Sequence, residues 1–249
     1  VGTPSKRERL GLQLQLAISR LLSPIWVPAL AAVMGGPLGW RIEGRAELRR
    51  RYAELRRSRS GPLLLCANHL TMLDSFVIGW ALGSPAFYLR DFGALPWNTP
   101  ERQNFASTWW KRGLAYLLKC VPLERGADRV QVARVLDKVV HLLRRGQTVL
   151  IFPEGGRSRS GRVELESAAY GVGRIVRALP GCQVLCVYLR GAGQQSWSDA
   201  PRRKERFRGR IRAIEPKSDQ RGLRGSVEVA RQIVATLVEM EREHFHDRQ

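Results

Sequence analysis

The chain has 249 residues, 44% of them hydrophobic and 8% aromatic, enough for one large buried core and too apolar for a disordered polymer. Set against 22 acidic residues, 42 basic ones give a formal charge of +20, which favours anionic partners: nucleic acid, anionic lipid headgroups or phosphorylated small molecules. The basic residues are spread along the whole chain with no zinc-finger spacing or RNP-like aromatic motif, so no nucleic-acid partner is expected. Cys66, Cys120, Cys182 and Cys186 have neither CxxC pairing nor a histidine cluster beside them. No metal site is therefore expected, only buried free thiols of a reducing compartment.

Residues 1–43 differ from the rest. Lys6, Arg7 and Arg9 open a basic start, and residues 21–40 carry no charge. A run of that size could just cross a bilayer, which takes roughly 20 residues. Pro24, Pro28, Pro37, Gly35, Gly36 and Gly39 interrupt it, so it is expected to lie in the interface or dip and return, with Trp26 and Trp40 at headgroup level. A buried helical hairpin is the alternative. A cleaved leader fits less well, because Gln13, Gln15 and Arg20 spoil the apolar region before Ala29-Leu30-Ala31. The segment is expected to be an apolar, helical, membrane-associating appendage to a domain over 44–249.

From there helix and strand patterns alternate. Residues 43–59 read as a charged helix, 62–67 as a buried strand, 71–82 as a helix and 86–90 as a strand. A helix over 107–118 and an extended stretch over 120–124 follow. Val132, Val135, Leu136, Val139, Val140 and Leu143 form one helical face. Strands are expected at 148–152, 184–189 and 207–214, and helices at 164–179 and from Val227 to Met240. Arg208, Arg210 and Arg212 fall on one face of the last strand. The alternation predicts a single α/β domain with a mixed, largely parallel sheet flanked by helices.

Two segments carry chemistry. In the first, His69 and Asp74 stand five apart, just after an apolar strand. On a regular helix they would point ~140° apart. They can meet only with His69 in the turn and Asp74 in the first helical turn. Such a pair suits a general base whose tautomer the carboxylate fixes. With no GxSxG elbow in the chain, the substrate would be the nucleophile. An ordinary histidine at a helix start is the competing reading. In the second segment, Phe152-Pro153-Glu154-Gly155-Gly156-Arg157-Ser158 leaves a strand into a Gly- and Arg-rich loop. Its glycines let the backbone approach an anion, Arg157 and Arg159 offer forked donors, and Glu154 can accept from a substrate hydroxyl. A solvated basic loop is the competing reading here.

Together these segments resemble the 1-acylglycerol-3-phosphate acyltransferases, the lysophospholipid acyltransferase family. That family's first motif is Asn-His-x-Ser-x-x-Asp, matched by Asn68 through Asp74 with Thr71 for Ser. Its third is Phe-Pro-Glu-Gly-Thr-Arg-Ser, matched with Gly156 for Thr. Its second, Gly-x-x-Phe-Ile-x-Arg, survives only as Leu123 and Arg125, with Lys119 and Pro122 in place of Gly and Phe. Its fourth, Val-Pro-Val, lacks the Pro at Val184-Leu185-Cys186-Val187. The resemblance spans roughly residues 45–215. It implies transfer of a fatty acyl group from acyl-CoA or acyl carrier protein to a lysophospholipid hydroxyl, foremost 1-acylglycerol 3-phosphate. The degraded motifs leave open a lyso-aminolipid or a hydroxylated, membrane-anchored metabolite or pigment as acceptor. His69 and Asp74 are the implied catalytic pair, supported by Asn68 and Thr71. Arg125, Glu154, Gly155, Gly156 and Arg157 would hold the acceptor. No metal, cofactor or acyl-enzyme is implied. The implied location is an anionic lipid surface on the cytoplasmic face of the inner or plasma membrane, with the protein monotopic or peripheral.

Overall fold

The computed structural model describes residues 2–101, 108–123 and 128–247. A 30-residue helix α1 (Lys6–Gly35) leads into strand β1 (Arg41–Glu43) and helix α2 (Arg45–Ser58). Strand β2 (Leu63–Ala67), helices α3 (Asp74–Leu82) and α4 (Pro85–Arg90) and strand β3 (Trp97–Asn98) follow. Then come α5 (Trp109–Leu117), α6 (Arg129–Arg144), β4 (Val149–Ile151) and α7 (Tyr170–Arg177). Strands β5 (Gln183–Gly191) and β6 (Arg206–Ile214) and helix α8 (Gly222–His246) complete the chain. The sheet order is β1-β6-β5-β2-β4-β3, parallel throughout except for β5 against β6.

Pleating divides the core in two, since successive strand residues face opposite sides. On β2, Leu64 and Cys66 pack under α6, α7 and α8 beside Val139, Ile175 and Ile233. Leu63, Leu65 and Ala67 face α2, α3 and the C-terminal half of α1 beside Tyr52, Ile78 and Met34. Every residue of β2 is fully buried, which accounts for its unbroken apolar run. All four cysteines are buried and free, and burial pushes their thiols up.

Several elements differ from their sequence signals. Residues 86–90 are helical because Ser84 caps them, accepting from the Phe87 N–H, with Pro85 at the first helical position. The expected helix over 164–179 is a short 3₁₀ turn (Leu165–Ser167) followed by α7. The expected strand over 120–124 is reduced to two isolated bridges, Asn98 with Cys120 and Glu101 with Leu123; Glu124 lies outside the described residues.

Helix α1 does not turn back on itself but runs on as one helix through Pro24 and Pro28. Pro24 has no N–H to give to the Arg20 carbonyl, and the Ser23 hydroxyl donates to that oxygen instead at 2.7 Å. The helix is seated on the domain by polar groups. Gln15 Nε2 donates to the Tyr116 and Cys120 carbonyls, both at 3.0 Å, and Ser19 Oγ to Leu117 at 2.6 Å. Near its start, Glu8 pairs with Lys138 at 3.1 Å. Leu10, Leu14, Ile18, Leu21 and Ile25, at spacings of three and four, form an exposed apolar stripe on the opposite side.

Candidate active site

Strands β2 and β4 are adjacent and parallel, with Leu64 opposite Val149 and Cys66 opposite Ile151. Their C-terminal ends therefore deliver the two sequence motifs to the same edge of the sheet, where ligands bind in open α/β folds. His69 leaves β2 in a turn, and Asp74 is the first residue of α3. His69 Nδ1 lies 3.0 Å from Asp74 Oδ2. That oxygen also accepts from the Leu70 N–H at 2.5 Å and the Thr71 N–H at 2.8 Å, while Oδ1 accepts from the Thr71 hydroxyl at 2.6 Å. Four polar partners and the N-terminal end of α3 surround this buried carboxylate. Held through Nδ1, the imidazole can present Nε2 as a base. Phe152 stacks on the ring at 3.8 Å between centroids, 11° from parallel.

Asn68, Thr71 and Ser158 brace this turn. Asn68 bridges to β5, accepting from the Leu189 N–H at 2.8 Å and donating to its carbonyl at 3.0 Å. Thr71 accepts from the Leu73 N–H. The Ser158 N–H donates to the His69 carbonyl at 2.9 Å, tying the second motif to the first.

Glu154 Oε1 accepts from the His69 N–H at 3.3 Å. Burial pushes its carboxyl up to about 8 against the pull of that N–H, with Glu241, Glu164 and Asp74 adding repulsion. Gly155 has φ +69°, a left-handed turn in which a side chain would be strained, and its N–H returns to the Phe152 carbonyl. Gly155, Gly156 and Arg157 line the same cavity as His69. Arg157 Nη1 is paired with Asp199 at 2.9 Å, and the guanidinium lies over the Trp197 ring. Arg159 is exposed. Arg125, the remaining acceptor residue expected from sequence, lies outside the described residues.

Sequence reasoning missed Asp199 and Trp197. They sit on the β5–β6 connection, which is laid along the His69 turn by the Ser198 N–H donating to Leu70 and the Met72 N–H donating to Asp199. Nothing in their spacing marks them, because the contact spans more than a hundred residues. Lys119 was noted only as a departure from a family glycine. The structure gives it φ +56°, where glycine is favoured, and buries it completely. Its Nζ donates to the carbonyls of Phe92 at 2.9 Å and Leu95 at 2.6 Å, and burial holds it well below the usual lysine range.

The cavity holds about 640 Å³, within the range of small-molecule sites. It runs from His69 inward between α6, α7 and the sheet, past Leu136, Val139, Val172 and Ile175. Its lining is largely apolar.

A family model described as Acyltransferase matches residues 42–190, from β1 through all but the last residue of β5. No curated protein matches in a sequence search. Among solved structures, the chain is similar to the crystal structure of the 1-acyl-sn-glycerophosphate (LPA) acyltransferase PlsC from Thermotoga maritima. The identity is 14% and the TM-score 0.47, over 94% of this chain and 98% of that one. The family match takes in well over half of the sequence and both motifs, and the chain belongs to the Acyltransferase family.

Proposed function

We propose that this acyltransferase moves a fatty acyl group from acyl-CoA or acyl carrier protein to the hydroxyl of a lysophospholipid, foremost 1-acylglycerol 3-phosphate, at a membrane surface. The observation that carries this is the His69–Asp74 pair at one end of an apolar cavity bordered by Arg157 and the Gly155–Gly156 turn. His69 Nε2 takes the hydroxyl proton as the oxygen attacks the thioester carbonyl. The tetrahedral intermediate then breaks its C–S bond, and the departing thiolate receives the proton from His69. Such base catalysis supplies about 10²–10⁴-fold. Glu154, held mostly protonated at neutral pH, can donate as well as accept toward the acceptor. The acyl chain gains about 0.8 kcal/mol for each methylene it moves from water into the cavity.

The membrane reading rests on the inverted pattern of α1. Its polar Gln15, Ser19 and Ser23 face the protein, and its apolar stripe faces out, with Leu21 77% and Ile25 71% exposed. A helix apolar on its free side and tethered along its length lies in the lipid interface rather than across it. The basic surface adds attraction to anionic lipid, about 1 kcal/mol for each nearby Lys or Arg.

The Arg157–Asp199 pair favours a second acceptor reading. With its charge already matched, Arg157 also suits a headgroup that carries a cation, as a lyso-aminolipid does. Steady-state kinetics on a panel of acceptors with one labelled thioester separates the two. If the acceptor is a phosphomonoester, Arg157→Ala raises its KM by roughly ten- to a hundredfold and leaves the thioester KM unchanged. Turnover of the aminolipid but not of lysophosphatidate by the unmodified enzyme would sink the first reading.

A further inference from the structure

Arg190 is the next-to-last residue of β5, is 3% exposed and does not line the cavity. All three of its side-chain nitrogens donate to backbone carbonyls on two separate loops. Nη1 reaches Gly161 at 2.5 Å, on the loop after β4. Nε reaches Gln194 at 3.0 Å and Nη2 reaches Gln195 at 2.9 Å, both on the β5–β6 connection. A planar guanidinium fork fixes the spacing of those carbonyls, as the point charge of a lysine would not. Behind it, Glu241 of α8 lies 3.8 Å from Nη1, and the Phe245 ring is 5.1 Å from the guanidinium. Glu241 is itself held by the Val163 N–H and the Tyr188 hydroxyl. At Gly161 the loops meet backbone to backbone. A Cβ there would lie 2.5 Å from the Gln195 carbonyl oxygen, and φ is +73°.

Each of these loops is also tied to the His69 turn. The first carries Arg157, and one residue later the Ser158 N–H donates to the His69 carbonyl. The second carries Asp199, whose carbonyl accepts from the Met72 N–H, while the Ser198 N–H donates to the Leu70 carbonyl. The Arg157–Asp199 pair joins the two loops a second time. Burying a guanidinium is costly, and apolar packing would close a strand end at less cost. What the fork adds is a fixed distance between the loops. We propose that Arg190 is a positioning residue: it clasps the two loops and through them holds Arg157 and Asp199 in register with His69. The inference rests on Arg157 holding the acceptor, as argued above.

Arg190→Lys keeps the charge and loses the fork. Acceptor KM is expected to rise about tenfold, since a misplacement of ~1 Å at a positioning group can cost up to about 10²-fold. Thioester KM is expected to stay within about twofold. The rise should vanish in an Arg157→Ala background, where a residue that acts through Arg157 has nothing left to position. A merely structural role would raise both KM values or neither, and would add to Arg157→Ala; either result overturns the proposal. Gly161→Ala opens the same contact from the loop side, so its effect on acceptor KM should match and should not add to that of Arg190→Lys. Full additivity would overturn the clasp, and the alanine variant carries the test alone if the lysine variant does not fold. Amide exchange reads the clasp without turnover. The Ser158, Ser198 and Met72 N–H groups should exchange at least about tenfold faster in either variant while those of β2 hold. Unchanged exchange at all three would also overturn it. If Arg157→Ala alone left every acceptor KM unchanged, the acceptor reading would fail, and the exchange rates would still decide the clasp.

Discussion

The site depends on individual protons. His69→Ala should leave the fold intact by circular dichroism and reduce acyl transfer to background. Asp74→Asn should cost at least about tenfold in kcat, because the base remains but loses the charge that steadies its protonated form. Glu154 should reveal itself through stability. Its carboxyl is pushed up to about 8 in the fold, so the unfolded chain ionises first as pH rises. Between the ordinary carboxylate range and about pH 8 the folded state binds more protons than the unfolded one, and stability falls. Glu154→Gln, which cannot ionise, should therefore gain Tm over the parent as pH rises to 8, with the difference closing below about pH 4.5. Thermal scans across that range would show it, and parallel curves would refute the buried-acid picture. At this scale the sequence was most legible where chemistry is local. His69 and Asp74 lie on one turn, and their spacing alone required the turn-then-helix geometry that is seen. Lys119 was illegible because its carbonyl partners come from 24 and 27 residues away.

Between elements, α7 approaches α8 closely at Gly173. A Cβ on Gly173 would lie 1.9 Å from the Ser226 carbonyl oxygen. Gly173→Ala must push the two helices apart in a well-packed core, a change that costs about 1–3 kcal/mol. Denaturant unfolding should show that loss, whereas Gly171→Ala on the same helix, with only Leu136 at 3.7 Å, should show little. Elements were readable where one period dominated: the fully buried β2 and the α6 face match their patterns. The helix of residues 86–90 was misread because a five-residue run carries too few turns to tell one period from another, and its capping serine decided the outcome. The Arg208, Arg210 and Arg212 face did form. It pairs with Glu43 of β1, with Glu239 and Glu243 of α8 and with Asp247 just beyond that helix, so those charges are largely answered within the fold.

For the whole molecule, the open quantity is how the protein meets lipid. Leu21→Asp with Ile25→Asp should release it from vesicles into the soluble fraction at unchanged Tm, because both side chains lie on the exposed stripe. About 1 M salt should release little of the parent, since apolar insertion is not screened. Full release by salt would show that charge alone holds it there. The α/β architecture was legible from the alternation of strand and helix signals. The seating of α1 was not, because prolines read as breaks and nothing in sequence shows that Ser23 would repair one of them.

That seating imposes a timetable on synthesis. Gln15 and its partner Cys120 are 105 residues apart, so the polar face at Gln15 and Ser19 lacks its carbonyl partners until α5 has been made. At about 5–20 residues per second, the stretch from Gly35 to Cys120 takes roughly 4–17 s. Throughout that interval both faces of its N-terminal half are open, including the stripe proposed for lipid. A nascent chain in this state gains by finding the membrane first and its own domain second. Delivery to the bilayer would then precede folding of the enzyme, and slowing translation between α1 and α5 should raise the membrane-bound fraction rather than the aggregated one.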